Sequence, residues 1–206
     1  MTAEHPKVGV LALQGDVREH ARVLTSLGAE VVLVRRVREL DEVEGLVIPG
    51  GESSVMDKLA RSFGLFEPLR ERIRSGMPVY GTCAGLIMLA DRLQDDSPGQ
   101  QTLGGLDVTV RRNAFGSQVD SFETDLDVPG ITDEPVHAVF IRAPIVESVG
   151  TGATVLASLG EGRIVAVEQG NLLGTSFHPE MTGNTRFHEH FLRRVRAVAD
   201  VERAAP

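Results

Sequence analysis

Cys83 is the only cysteine of the chain, and it stands in the run Val79-Tyr80-Gly81-Thr82-Cys83-Ala84-Gly85. An apolar stretch, residues 77–80, leads into it, and an apolar helical pattern over residues 86–93 leads out. Gly-x-Cys-x-Gly on a strand-to-helix turn is the thiol form of the nucleophile elbow. Glycine two residues to either side lets the backbone turn sharply and lets neighbouring elements approach, so the side chain stands clear of the sheet. A thiol at the start of a helix also meets unpaired N–H groups and the positive end of the helix dipole, both of which favour its thiolate. A free cysteine in a soluble protein is ordinarily an inert buried hydrophobe, so the elbow alone leaves both readings open.

A second motif decides between them. Phe177-His178-Pro179-Glu180 follows the apolar run 172–177. A thiol nucleophile needs a base to take its proton and return it to the leaving group, and the base needs an acceptor to orient it. In an extended segment residues i and i+2 point the same way. That spacing predicts His178 and Glu180 side by side, with Pro179 fixing the backbone between them. A third piece, Pro49-Gly50-Gly51-Glu52-Ser53, ends a buried strand and opens a helix. Two glycines leave backbone N–H groups able to point into a cleft, the donors an oxyanion needs. A phosphate cradle is disfavoured, because neither Gly-x-x-x-x-Gly-Lys nor Gly-x-Gly-x-x-Gly is present.

Together these three runs resemble the signatures of triad (class I) glutamine amidotransferases. Four further runs are similar to the glutaminase subunits of pyridoxal 5′-phosphate synthase: Leu13-Gln14-Gly15-Asp16-Val17-Arg18-Glu19-His20, Arg112-Asn113-Ala114-Phe115-Gly116, Gln118-Val119-Asp120-Ser121-Phe122-Glu123 and Phe140-Ile141-Arg142-Ala143-Pro144. The resemblance extends over residues 7–198, with no departure at a catalytic position. It implies a three-layer, flavodoxin-like α/β fold with a mixed, mainly parallel central sheet, in one amidotransferase domain spanning 1–206 with short tails at about 1–6 and 200–206. It implies hydrolysis of L-glutamine to L-glutamate and ammonia by a Cys83-His178-Glu180 triad, with an oxyanion hole from N–H groups at Gly51 and Ala84. Gly51, Glu52, Ser53, Arg112, Ile141 and Arg142 would line the glutamine site, Arg112 either pairing with the substrate carboxylate or serving structure alone. The ammonia would pass to a synthase subunit in a hetero-oligomeric complex, and no cofactor is expected. Another synthase's glutaminase subunit would share the chemistry but not the Leu-Gln-Gly opening. A Cys-elbow peptidase or chaperone of related fold would lack His-Pro-Glu, and a regulatory module would have lost a triad member.

Composition sets limits of its own. The 206 residues are enough for a substantial core, and 42% hydrophobic with 24% charged residues is a globular balance. One Tyr and no Trp leave little for base or sugar stacking, and a net charge of −8 opposes binding to nucleic acid or an anionic membrane. A single cysteine excludes an internal disulfide and fits a reducing cytoplasm. The first residues carry no signal pattern, and no apolar run reaches membrane-spanning length.

The elements that must position these groups alternate in the first half of the chain. Strands are expected at 8–13, 31–34, 46–48 and 77–80, and helices at 16–27, 53–60, 67–74 and 84–93. Alternation predicts a parallel sheet covered on both faces, with ligands beyond the carboxyl ends of its strands. The second half reads as strands at 106–111, 136–141, 154–159, 164–167 and 172–177, implying antiparallel additions. A closing helix presents Phe187, Phe191, Val195 and Val198 on one face, with Arg193, Arg194 and Arg196 toward solvent. His188 and His190 diverge on that helix and cannot share a metal. His5 lies in a tail, His137 opens a strand, and His20 beside Glu19 suits a salt bridge or an interface, so no metal site is expected.

Overall fold

A computed structural model describes residues 5–95, 97–112 and 121–204. In chain order the elements are β1 (Lys7–Leu11), α1 (Val17–Ser26), β2 (Glu30–Val34), α2 (Val37–Asp41), β3 (Gly45–Ile48), α3 (Ser53–Ser62), α4 (Phe66–Arg74), β4 (Val79–Thr82), α5 (Ala84–Leu89) and β5 (Ala90–Gln94). The second half holds β6 (Leu106–Arg111), β7 (Ser121–Leu126), β8 (Val136–Ile141), β9 (Ile145–Val149), β10 (Thr154–Leu159), β11 (Arg163–Gln169), β12 (Leu172–Thr175) and α6 (Arg186–Ala204).

The central sheet runs β2-β1-β3-β4-β12-β11-β9-β6-β5, with β10 paired to β11 and a separate β7–β8 hairpin. Pairings from β2 through β12 are parallel, whereas β11 is antiparallel to β12, β10 and β9. The parallel strands are apolar on both faces, as strands covered on both sides must be. In β3, Leu46 and Ile48 belong to one core cluster and Val47 to the other. Helices α3, α4 and α5 cover the first face with Met56, Leu69 and Leu86. Helices α1 and α6 cover the second with Leu24, Phe187, Phe191 and Val195. These are the three layers of the expected mixed, mainly parallel α/β fold.

The chain departs from the sequence reading in a few places. The helix after Cys83 stops at Leu89, and residues 90–94 form an edge strand instead of its continuation. All six residues of α5 are buried, and a helix in that position has no polar face to offer Asp91 and Arg92. On the edge strand Asp91 accepts the Gly105 N–H and Arg92 pairs with Asp107. An apolar run of this length does not distinguish a buried helix from a strand by period. Helix α2 and strands β7 and β9 add to the elements expected from periodicity. The family-like positions 113–116 and 118–120 lie outside the described residues.

Candidate active site

Strand order reverses at β1, with β2 on one side and β3 on the other, and the segments following β1, β3, β4 and β12 converge on that sheet edge. Cys83 follows β4 with φ 48° and ψ −101°, a backbone state that costs a non-glycine residue about 1–3 kcal/mol and is found where function requires it. Its flanking glycines are steric necessities. A Cβ on Gly85 would meet the Ile48 carbonyl oxygen at 2.1 Å, and one on Gly81 would meet the Gly85 carbonyl carbon at 2.4 Å. Cys83 N–H donates to the Thr175 carbonyl at 2.8 Å, tying the elbow to β12.

His178 lies just beyond β12, and its N–H donates to the Val139 carbonyl of β8 at 2.9 Å. Its imidazole lines the same cleft as Cys83, whose thiol lies 4.0 Å from the Ile141 carbonyl oxygen. Nδ1 is 2.8 Å from Glu180 Oε1 and 3.3 Å from Asp16 Oδ2. A ring nitrogen facing two carboxylates carries the proton, so Nδ1–H donates to Glu180 with the Asp16 carboxylate close beside it. The backbone between base and orienter differs from the extended form expected. Pro179–Met181 form a 3₁₀ turn, with His178 at φ −113° and ψ 80°. Proline at the first helical position suits that turn, which brings i and i+2 together by coiling.

Burial opposes charge on His178, but the neighbouring Asp16, Cys83 and Glu180 outweigh it and push its pKa up to about 12. Burial would raise the Glu180 carboxyl, yet the His20 imidazole beside it and the hydrogen bond from His178 hold it well below the ordinary carboxylate range. Asp16, His178 and Glu180 each offer a ligand-type atom within 4.8 Å of the others, and the cation that balances these carboxylates is the imidazole itself.

Around this triad is a cleft of about 310 Å³. It is lined by Gly51, Glu52, Ser53, Arg112, Ile141 and Arg142, the six residues expected to bind substrate, together with Cys83 and His178. Gln14, Asp16 and Ile87, to which the sequence reading gave no role, line it as well. The signal for Gln14 and Asp16 was their place directly after β1, on the site edge. Ala84 is buried at the first position of α5, where helix geometry leaves its N–H without an intrahelical acceptor. Arg112 donates to Glu52 at 2.7 Å, to Ser97 at 2.8 Å and to Gln100 at 3.0 Å. It thus faces the cleft with part of its fork engaged by a carboxylate that itself accepts the Ser54 N–H of α3. Arg142 has φ 43°, a second strained backbone position at the cleft.

The double-glycine turn is clamped by the β1 loop. Asp16 N–H donates to the Gly50 carbonyl at 3.2 Å, and Glu52 N–H to Gln14 Oε1 at 2.9 Å. His20 is buried and reaches toward Glu180 and Thr82, so the carboxylate it faces is Glu180 of another segment and not the adjacent Glu19. Solvent never reaches this face of α1, so charge pairing along the helix does not govern it.

Comparison with known proteins relates the chain as a whole to a family. A model of the SNO glutamine amidotransferase family matches residues 10–197. A pyridoxal 5′-phosphate synthase subunit PdxT of Leifsonia xyli subsp. xyli is 70% identical over 193 residues, covering 94% of this chain and 98% of its own length. A homologue of the same name from Nocardioides sp. is 62% identical, covering 91% of this chain and 94% of its own. The crystal structure of a glutamine amidotransferase superposes with TM-score 0.85 at 48% identity, over 91% of this chain and 98% of that one. PurLQS from Thermotoga maritima, at 18% identity and TM-score 0.67, covering 92% of this chain and 99% of that one, shares the fold.

Proposed function

The chain belongs to the SNO glutamine amidotransferase family, and from that premise we propose that it is the glutaminase subunit of a pyridoxal 5′-phosphate synthase, hydrolysing L-glutamine and passing ammonia to a synthase subunit. The observation that carries the reading is the His178 imidazole, held by Glu180 at 2.8 Å and sharing one polar cleft with the Cys83 elbow.

The chemistry follows from those contacts. The Cys83 thiolate attacks the side-chain carbonyl carbon of glutamine, and the tetrahedral oxyanion is taken by backbone N–H groups of Gly51 and Ala84. The intermediate collapses with cleavage of the C–N bond as His178 delivers its proton to the departing ammonia. A thioester remains. His178, now neutral, takes a proton from water, whose oxygen attacks the thioester and releases glutamate and the thiolate. Glu180 holds the imidazole throughout. Glu52 suits the substrate ammonium, and Arg112 its carboxylate.

Ammonia in water at neutral pH is protonated to ammonium, which is no nucleophile, so uncoupled hydrolysis wastes the product. The Gly50-Gly51 peptide is the switch we assign: rotating it breaks one 3.2 Å hydrogen bond to Asp16, and glycine permits the rotation without side-chain clash. Among the described residues no helix is long and apolar enough to cross a membrane, and the partner is a protein subunit. Ammonia release from glutamine, measured on the chain alone and with the synthase subunit, tests the reading. We expect low turnover alone and a large rise in kcat with the synthase. No turnover in either case would refute it.

A further inference from the structure

Behind the triad, on the side away from the cleft, lies a buried polar chain that the hydrolysis above does not use. His20 of α1 and His188 of α6 are both fully buried, and His20 Nδ1 is 2.9 Å from His188 Nε2. His20 Nε2 is 3.0 Å from Thr82 Oγ1, one residue before the nucleophile, and 3.5 Å from Glu180 Oε1. Tyr80 walls the pair, its ring edge-on to both imidazoles with centroids 6.4 and 5.5 Å away. Glu180 Oε1 therefore faces an imidazole nitrogen on each side, His178 in front and His20 behind.

The proton positions follow from which groups are left unpaired. His188 Nδ1 is buried with no hydrogen-bond partner. If His20 carried its proton on Nδ1, it would donate to His188 Nε2 and force the His188 proton onto that partnerless Nδ1. A buried N–H would then be unsatisfied, and a bare His20 Nε2 lone pair would face the Glu180 carboxylate. Both are costly. In the opposite arrangement His188 Nε2–H donates to His20 Nδ1, and His20 Nε2–H donates to Thr82 Oγ1 with its positive end toward Glu180 Oε1 3.5 Å away. Only a lone pair on His188 is then unpartnered. Burial keeps His188 neutral, with its pKa lowered to about 3.

Resting on the triad reading above, we infer that His20 is a positioning residue for the reaction, held as the Nε2–H tautomer by His188 so that it secures the Glu180 carboxylate from behind. Glu180 sits on a single 3₁₀ turn, not in a ladder or a long helix, and its Oε2 is buried without a partner. The His20 N–H beside Oε1 keeps that oxygen, and not the other, turned toward His178.

Two measurements test this. Nitrogen-15 NMR of the histidine-labelled wild-type chain at neutral pH reads which ring nitrogen carries the proton. Nε2–H with a bare Nδ1 is expected for both His20 and His188, and a proton on His20 Nδ1 would overturn the assignment. Glutaminase kinetics with the synthase subunit present supply the second. His20→Leu should lower kcat about ten- to hundredfold, the worth of a donor N–H facing a charged group, with KM for glutamine little changed. His20→Gln, whose side-chain amide reaches the same position as Nε2–H, should recover most of that loss. Wild-type kcat in the leucine variant, or a folded glutamine variant no better than leucine, would sink the positioning role. Absence of turnover in the wild type would instead remove the glutaminase reading, and the tautomer measurement alone would then decide the place of His20.

Discussion

Gly50 lies flat against the imidazole of His178: a Cβ on Gly50 would stand 2.4 Å from His178 Cε1 and 2.9 Å from Asp16 Oδ2. The turn proposed to carry the oxyanion switch is thus also a wall of the base. Gly50→Ala should push the imidazole off its line to Cys83 and lower kcat by at least about a hundredfold, the effect of a displacement near 1 Å. Circular dichroism should show the fold retained. Activity within twofold of wild type would show that the ring has room to move.

Cys83 is the sole thiol of the chain, so Cys83→Ala should abolish glutaminase activity while leaving the fold intact. A glutamine-like electrophile should label one residue, Cys83, by mass spectrometry. Labelling elsewhere, or turnover in the alanine variant, would refute its role as nucleophile.

His178 and Glu180 should separate in kinetics. His178→Asn removes the proton carrier and should cost about 10²–10⁴-fold in kcat. Glu180→Gln should cost less, because Asp16 Oδ2, 3.3 Å from Nδ1, remains to accept in its place. Adding Asp16→Asn to Glu180→Gln should then bring the loss close to that of His178→Asn. If Glu180→Gln alone matches His178→Asn, Asp16 has no such role.

Gly51 has φ 151°, and a Cβ there would meet Gln14 Oε1 at 2.3 Å, so Gly51→Ala jams the clamp between the two loops. The variant should show a blunted rise in kcat on adding the synthase subunit, measured as ammonia release at saturating glutamine. Full activity of the wild-type chain alone, unchanged by the synthase, would remove the switch and leave the triad standing.

His188 should give the fold a pH signature. Its pKa is lowered from 6.5 to about 3, so below pH 6.5 the unfolded chain binds a proton there that the folded chain refuses. Stability is therefore present above pH 6.5 and falls as pH drops toward 3, by up to about 1.4 kcal/mol per pH unit. His178, raised in the fold, is protonated in both states over this window and adds no slope. Glu180, depressed from 4.5, loses its contribution only below that value. His190, also lowered, adds a slope of the same sign. Urea unfolding at pH 6.5 and 4.5 should show a smaller pH dependence for His188→Gln than for wild type. Equal dependence would mean that His188 is not held neutral by its surroundings.

The parts of this site legible in the sequence are those set over a few residues. Gly81 and Gly85 frame Cys83 because the elbow admits no Cβ there. Gly50 and Gly51 stand as a pair at the end of a strand, where side chains of His178, Asp16 and Gln14 leave no room for a Cβ, and His178 and Glu180 meet through one turn. Strand and helix alternation likewise placed the parallel half of the sheet and its functional edge. Tertiary structure decided the rest. Leu89 ends a helix that local periodicity continues, since a fully buried α5 cannot carry Asp91 and Arg92. Asp16 stands beside His178 only because β1 and β12 deliver their loops to the same edge. His20, Thr82 and His188 come together from three elements, and nothing in their spacing announces it. Local sterics and capping act through neighbouring residues and so are visible in the order of side chains. The pairing of buried polar groups depends on which layers stack, and that is settled only when the two apolar faces of the sheet are covered.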